Sequence, residues 1–279
     1  MFIEILKAVV FGIVEGITEW LPVSSTGHLI LLNEFLTLNV TEAFQEMFDV
    51  VIQLGAIFAV LVLFFHKLNP FSPGKNSDQK KDTWLLWAKV VVAVMPSAVL
   101  GLLFDDWFDA HFYNYVVVSL ALIVYGFAFI WIEKRNKGRK PAIRKVYQLD
   151  WRTALLIGAF QCLALIPGTS RSGSTILGGI LLGVSRGAAS EFSFFLAIPT
   201  MLGASGLKAL KFFLDGNALG VTEIAVLITG MVVSFLVSLL VIKALMEYVR
   251  RNSFSLFGVY RIVLGGIMIV YALTQWILL

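Results

Sequence analysis

Two clusters of polar side chains stand inside otherwise apolar sequence and could do chemistry together. The first is Glu15, Glu19, Ser24, Ser25, Thr26 and His28, around Pro22. Glu15 and Glu19 are four apart and so share one face of a helix. A carboxylate pair leaves most of a divalent ion's shell to water and ligand oxygens, which suits Mg²⁺ or Ca²⁺ bound with a phosphate. The same pair could instead supply a general base beside a nucleophile. Hydroxyls and the free amides of a helix N-terminus bind anionic oxygens, so Ser24 and Thr26 are candidate phosphate contacts. His28 lies within one helical turn of Ser24 and Ser25. That spacing permits an activated serine and equally a histidine nucleophile.

The second cluster is the run Pro167-Gly168-Thr169-Ser170-Arg171-Ser172-Gly173-Ser174-Thr175. Glycine allows tight turning, and hydroxyls with backbone amides can form an anion nest. Arg171 adds a fixed charge whose planar fork matches two phosphate oxygens. An arginine in apolar surroundings needs an anionic partner. Glu15 or Glu19 could serve as a structural ion pair; a phosphate group fits the fork better. Ser170, Ser172 and Thr175 are candidate phosphate ligands beside it, and Gln53 could hydrogen-bond into the same cavity.

The elements that position these residues must lie in lipid. The chain has 279 residues, 58% hydrophobic and only 14% charged, far from the balance of a soluble domain. Its net charge of +4 does not call for a nucleic-acid partner; the basic residues sit in short stretches between apolar runs, where topology accounts for them. Cys162 is the single cysteine, so no intrachain disulfide forms. No cleavable leader is expected, because Glu4, Glu15 and Glu19 come early without a basic start or a small-residue cleavage site.

Crossing a bilayer takes about 20 helical residues. Residues 47–65, 84–104, 115–132, 190–214, 219–246 and 257–279 qualify, giving six expected spans. Residues 2–36 and 153–184 are apolar but broken by the two polar clusters, and each is expected to form a re-entrant helical hairpin. Lys and Arg concentrate in 66–83, 133–152 and 247–256, which places these stretches in the cytoplasm. The stretches 37–46 and 105–114 carry Glu42, Glu46, Asp105, Asp106 and Asp109 without Lys or Arg and belong outside.

Threading the chain with these sides makes the first hairpin open outward and the second inward. The expected fold is an all-α polytopic membrane protein with an inverted-topology repeat, the functional site lying where the hairpins meet. The whole chain, 1–279, is one membrane domain: repeat 1 over 1–132, a cytoplasmic loop over 133–152, and repeat 2 over 153–279. In sequence, Gly12, Glu15, Pro22 and Ser24-Ser25 parallel Gly158, Gln161, Pro167 and Thr169-Ser170 with one residue of gap.

The run from Glu15 through Pro22 to His28, the run from Pro167 to Thr175, and Phe48-Asp49-Val50-Val51-Ile52-Gln53-Leu54-Gly55 closely resemble the motifs of the undecaprenyl-diphosphate phosphatase family, the bacitracin-resistance proteins. The resemblance covers essentially the whole chain. It implies hydrolysis of undecaprenyl diphosphate to undecaprenyl phosphate and inorganic phosphate. That reaction recycles the lipid carrier of cell-wall synthesis in the bacterial plasma membrane, at a site facing the extracytoplasmic side. It also implies a divalent cation and functional roles for Glu15, Glu19, Ser25, His28, Ser170, Arg171 and Thr175. A polyprenyl diphosphate lipid is the expected partner, and a second copy of the chain is a further candidate.

The mechanism expected from these residues is phosphoryl transfer, with Glu19, Ser25, His28 and Arg171 catalytic and Glu15 and Glu19 holding the metal. Ser25 as nucleophile with Glu19 or His28 as base, His28 as nucleophile, and direct attack by water all remain open at this level. A rival from another class is an inverted-repeat flippase or transporter for polyprenyl phosphates, which needs binding groups but no nucleophile. The membrane phosphatases related to phosphatidic acid phosphatases are excluded, because they need a histidine downstream of the arginine and none follows Arg171.

Overall fold

The computed structural model describes residues 1–278, the side chains of 105, 106, 109 and 275–278 excepted. The side chains of Asp105, Asp106 and Asp109 and the last residue of the sixth expected span therefore lie outside the described residues. Twelve α-helices follow one another: α1 Phe2–Thr18, α2 Ser25–Phe35, α3 Glu42–Val51, α4 Gln53–Leu63, α5 Phe65–Leu68, α6 Ser77–Phe112, α7 Tyr115–Asn136, α8 Trp151–Gln161, α9 Arg171–Leu181, α10 Arg186–Leu214, α11 Val221–Arg251 and α12 Ser255–Leu278. Among the described residues there is no β-strand, only an isolated bridge between Ile143 and Val184.

Among the described residues, six helical stretches are long and apolar enough to cross a membrane: Glu42–Leu63, Ser77–Phe104, Tyr115–Asn136, Arg186–Leu214, Val221–Arg251 and Ser255–Thr274. Most run past the ends expected from hydropathy, because a helix ends at its caps and not where the lipid does. Thr41 accepts from the Phe44 amide, Asn114 from Val117 and Ser185 from Ala188, which sets the starts of α3, α7 and α10. The first span is two helices, α3 and α4, meeting at Ile52 with near-helical backbone.

Both broken regions form the expected hairpins. In the first, α1 and α2 are separated by a turn through Pro22. In the second, α8 continues into a 3₁₀ turn at Cys162–Leu165 before the break that precedes α9. Asp150 caps α8 by accepting from the Thr153 amide at 2.6 Å, and that bond holds its carboxyl below the usual range.

The hairpins are wedged among helices distant in sequence. α1 packs chiefly on α11, and α8 on α6. Close approach needs small residues: a side chain added at Gly12 would fall 2.7 Å from the Gly230 carbonyl oxygen. α7 packs on α12, where Gly126 and Gly258 face each other's carbonyl oxygens with room for no added carbon. α3 and α4 pack on α10. These contacts bring the two hairpin tips, residues 19–25 and 165–172, into one buried neighbourhood.

Candidate active site

The two tips share one backbone device. Ser24 and Ser170 both have positive φ, 73° and 72°, and each caps the helix that follows. The Ser24 hydroxyl accepts from the Gly27 amide at 3.3 Å, and the Ser170 hydroxyl from the Gly173 amide at 3.1 Å. Non-glycine residues rarely hold this conformation, so its recurrence at both tips fixes their correspondence. Ser24 matches Ser170, and Ser25 matches Arg171. This corrects the sequence alignment, which slipped by one residue because it placed Pro22 on Pro167. The prolines occupy different places in their turns; the caps do not.

Glu19, in the first tip, joins the two. One carboxylate oxygen accepts from the Ser25 hydroxyl at 2.7 Å. The other accepts from Arg171 Nη2 at 2.8 Å. Of the sequence alternatives for Arg171, the structure has the pairing with Glu19, in an environment where Arg171 is 10% exposed and Glu19 8%. Removing one member of such a buried pair typically costs about 3–5 kcal/mol. Arg171 is further fixed by donating to the Ser193 carbonyl at 2.8 Å and by lying over the Trp20 ring.

The hydroxyls of the second tip buttress this arrangement. Ser172 Oγ donates to the Glu19 backbone carbonyl at 3.1 Å, a direct bond from tip to tip. Thr175 Oγ1 lies 2.9 Å from the Arg171 carbonyl and 2.7 Å from Ser193 Oγ. Ser170 and Ser172 hydroxyls are 3.2 Å apart.

His28 is not paired with Ser25. Its Nδ1 lies 2.7 Å from the Ser24 carbonyl oxygen, which can only accept, so Nδ1 carries the proton. Nε2 then accepts from the Tyr260 hydroxyl at 2.7 Å. Thr26 is half-buried in the first turn of α2. Gln53 donates to the Asp49 carbonyl one turn back at 3.5 Å; among the described residues no hydrogen bond links it to either tip.

Glu15 is fully buried, and neither carboxylate oxygen has a hydrogen-bond partner among the described residues. An isolated buried carboxylate is too costly to remain bare, so it holds a proton or a cation. That fits the expected divalent ion. Among the described residues no group of three or more His, Cys, Asp or Glu could hold one, so a cation here would draw the rest of its shell from substrate and water.

Three features escaped the sequence reading. Arg261, in α12, is wholly buried without a carboxylate partner among the described residues. It donates to the Pro22 carbonyl at 3.2 Å, to Gly168 at 2.8 Å and to Thr169 at 3.0 Å, tying both turns together. A charge inside the last apolar run was the available signal. Tyr260 precedes it and carried no signal of its own. Asp49 is held by Asn33 at 3.0 Å and Gln45 at 2.8 Å, in a second, half-buried polar cluster.

Glu19, Ser25 and Arg171, which meet here, all come from the runs that resemble the motifs of one family. A sequence model of that family, described as bacitracin resistance protein BacA, matches residues 8–267. The chain belongs to the BacA family. It is 60% identical to an undecaprenyl-diphosphatase of Enterococcus faecalis (strain ATCC 700802 / V583), over 97% of this chain and 98% of the relative. It is 57% identical to an undecaprenyl-diphosphatase of Streptococcus equi subsp. equi (strain 4047), over 98% of each chain. A Streptococcus pyogenes serotype M1 undecaprenyl-diphosphatase is 55% identical over 99% of each. The BacA match begins within α1, takes in both hairpin tips and ends midway along α12, so Tyr260 and Arg261 fall inside it as well.

Proposed function

We propose that this chain is an undecaprenyl-diphosphatase. It removes the terminal phosphate of undecaprenyl diphosphate, releases undecaprenyl phosphate and inorganic phosphate, and so recycles the cell-wall lipid carrier and confers bacitracin resistance. The observation that carries the chemistry is the Glu19 carboxylate shared between Ser25 and Arg171.

Before substrate enters, Arg171 and the Ser25 hydroxyl occupy the two carboxylate oxygens of Glu19. The terminal phosphate competes for the guanidinium fork and draws it off. Glu19 is then free to take the Ser25 proton as Oγ attacks phosphorus. The bridging P–O bond breaks, the lipid monophosphate leaves, and the proton passes to it. Water then splits the phosphoserine: its oxygen goes to inorganic phosphate and a proton returns to Ser25. Arg171 and the amides around Ser170 and Ser172 hold the charge that builds on the transferring group. A divalent cation held by Glu15, with Glu19 beside it, would neutralise the diphosphate. His28, engaged by Ser24 and Tyr260, orients the first turn of α2 and does not attack.

The two halves read as inverted repeats, supported by the matched Ser24 and Ser170 caps. With the Lys and Arg distribution, this supports a first hairpin whose chemistry faces the extracytoplasmic side of the bacterial plasma membrane. The test is phosphate release by the purified protein in detergent, where no sealed compartment exists. Release with undecaprenyl diphosphate and divalent cation is expected. Binding of the lipid without release would leave a transport role and sink the enzymatic one.

A further inference from the structure

A cavity of about 1100 Å³ lies where the C-terminal ends of α7, α9 and α11 meet the start of α10 and the segment 137–147. Nine cationic side chains line it against two carboxylates, Glu133 and Glu191. Both carboxylates are already engaged, Glu133 by Arg186 and Glu191 by Lys67. Lys137, Arg139, Lys140, Arg144, Lys145 and Arg250 line the hollow with no acidic partner among the described residues.

The positive-inside rule explains cations at this end of the molecule. It does not explain a fixed basin. The segment carrying them is tied down: the Ala142 amide donates to Gly183 at 2.9 Å, and the Ser185 amide donates to Ile143 at 2.8 Å. The Ser185 hydroxyl donates to the Arg144 carbonyl at 3.2 Å, and the Gln148 side chain accepts from the Arg144 and Lys145 amides. The floor is apolar, formed by Ile180, Leu181, Met246 and Val249. Four residues along the chain from Tyr147 of the lining, Trp151 starts α8 with 47% of its surface exposed, as aromatic residues are at a bilayer interface.

We propose that this basin binds the headgroup of an anionic phospholipid from the surrounding membrane. Its phosphate meets the cationic rim, and its glycerol and first methylenes lie on the apolar floor. Free inorganic phosphate would use the rim but gain nothing from the floor. The site is separate from the hairpin tips and takes no part in the phosphoryl chemistry.

The test uses the full chain in phosphatidylcholine nanodiscs with a trace of spin-labelled phosphatidylglycerol, read as the immobilised fraction. The parent protein should immobilise phosphatidylglycerol in preference to labelled phosphatidylcholine. Lys140→Gln/Arg144→Gln/Lys145→Gln should weaken that binding about tenfold or more, whereas Lys80→Gln/Lys81→Gln, outside the cavity, should change it less than about twofold. The charge-preserving Lys140→Arg/Arg144→Lys/Lys145→Arg should bind as the parent does. Unchanged binding by the Gln triple variant overturns the proposal. So does equal loss in the Lys80/Lys81 variant, loss in the charge-preserving variant, or displacement by millimolar inorganic phosphate. Activity is not the readout, so failure here leaves the proposed chemistry untouched.

Discussion

The two hairpins have the same turn and different contents. Each places a serine at positive φ as the cap of a helix held near the other tip. The residue after the cap is Ser25 in one and Arg171 in the other. The same spacing along the chain pairs Glu15 with Gln161 and Gly12 with Gly158. Gln161 is satisfied at its amide nitrogen, which donates to Ser97 at 2.6 Å and Thr200 at 3.2 Å, residues that follow the helix prolines Pro96 and Pro199; its carbonyl oxygen has no partner among the described residues. Glu15 has no hydrogen-bond partner among the described residues. The second hairpin ties its buried polar position partly into the fold and, in the proposed reaction, grips phosphate. The first has left its position unsatisfied and carries the hydroxyl that can react. The two tips thus share a scaffold, and the proposed function rests on where their side chains stop matching.

The comparison breaks most sharply at the residue after the cap. Ser25→Ala should lower kcat by roughly 10⁴-fold or more, the scale of losing a nucleophile in a hydrolase. Steady-state phosphate release checks this, and a loss below tenfold would return attack to water or His28. Arg171→Lys should lower kcat/KM by about 10²–10³-fold, because an ammonium cannot replace the fork on phosphate. Its circular dichroism spectrum should match the parent's.

Glu15→Gln makes the first hairpin like the second. It should cut activity by about 10²-fold and flatten the dependence on divalent cation, while leaving Tm without divalent cation close to the parent's, because a protonated Glu15 and Gln are both neutral. Activity against Mg²⁺ and Ca²⁺ concentration, alongside thermal unfolding, separates the two effects. Arg261→Leu strands the Pro22, Gly168 and Thr169 carbonyls and should cost several kcal/mol, about 1–3 kcal/mol per buried group left unpaired. Tm and activity should fall together there, unlike in Arg171→Lys. The smallest effect is at the caps. Ser24→Gly keeps the positive φ and should cost a few tenths of a kcal/mol, whereas Ser24→Ala should cost about 1 kcal/mol or more. The Ser170 pair should behave alike in denaturant unfolding.

Much of this was legible in the sequence because lipid is a strict solvent. Apolar runs of sufficient length must be helices, and polar clusters inside them must be breaks, so the spans and both hairpins followed. Glu15, Glu19, Ser25 and Arg171 stood out because charge and hydroxyl groups are conspicuous there. The matching of the halves did not emerge in the right register, because proline is visible in a sequence and a serine's φ is not. His28 was expected at a serine hydroxyl one turn away; its Nε2 goes to Tyr260, which no local spacing could reveal. Arg261 was absorbed into an apolar run although its charge was in plain view. Helix ends were misjudged because α6 and α11 continue through the polar residues that flank their apolar runs.

The central claim is that Ser25, activated by Glu19, forms the covalent intermediate. Purified protein is mixed with undecaprenyl diphosphate labelled on the terminal phosphate, quenched in acid within one turnover, digested and mapped. The account predicts label on the peptide carrying Ser25, stable to acid as a phosphoserine is, and absent from Ser25→Ala. Label on His28, or full turnover with no labelled protein at any quench time, would contradict it.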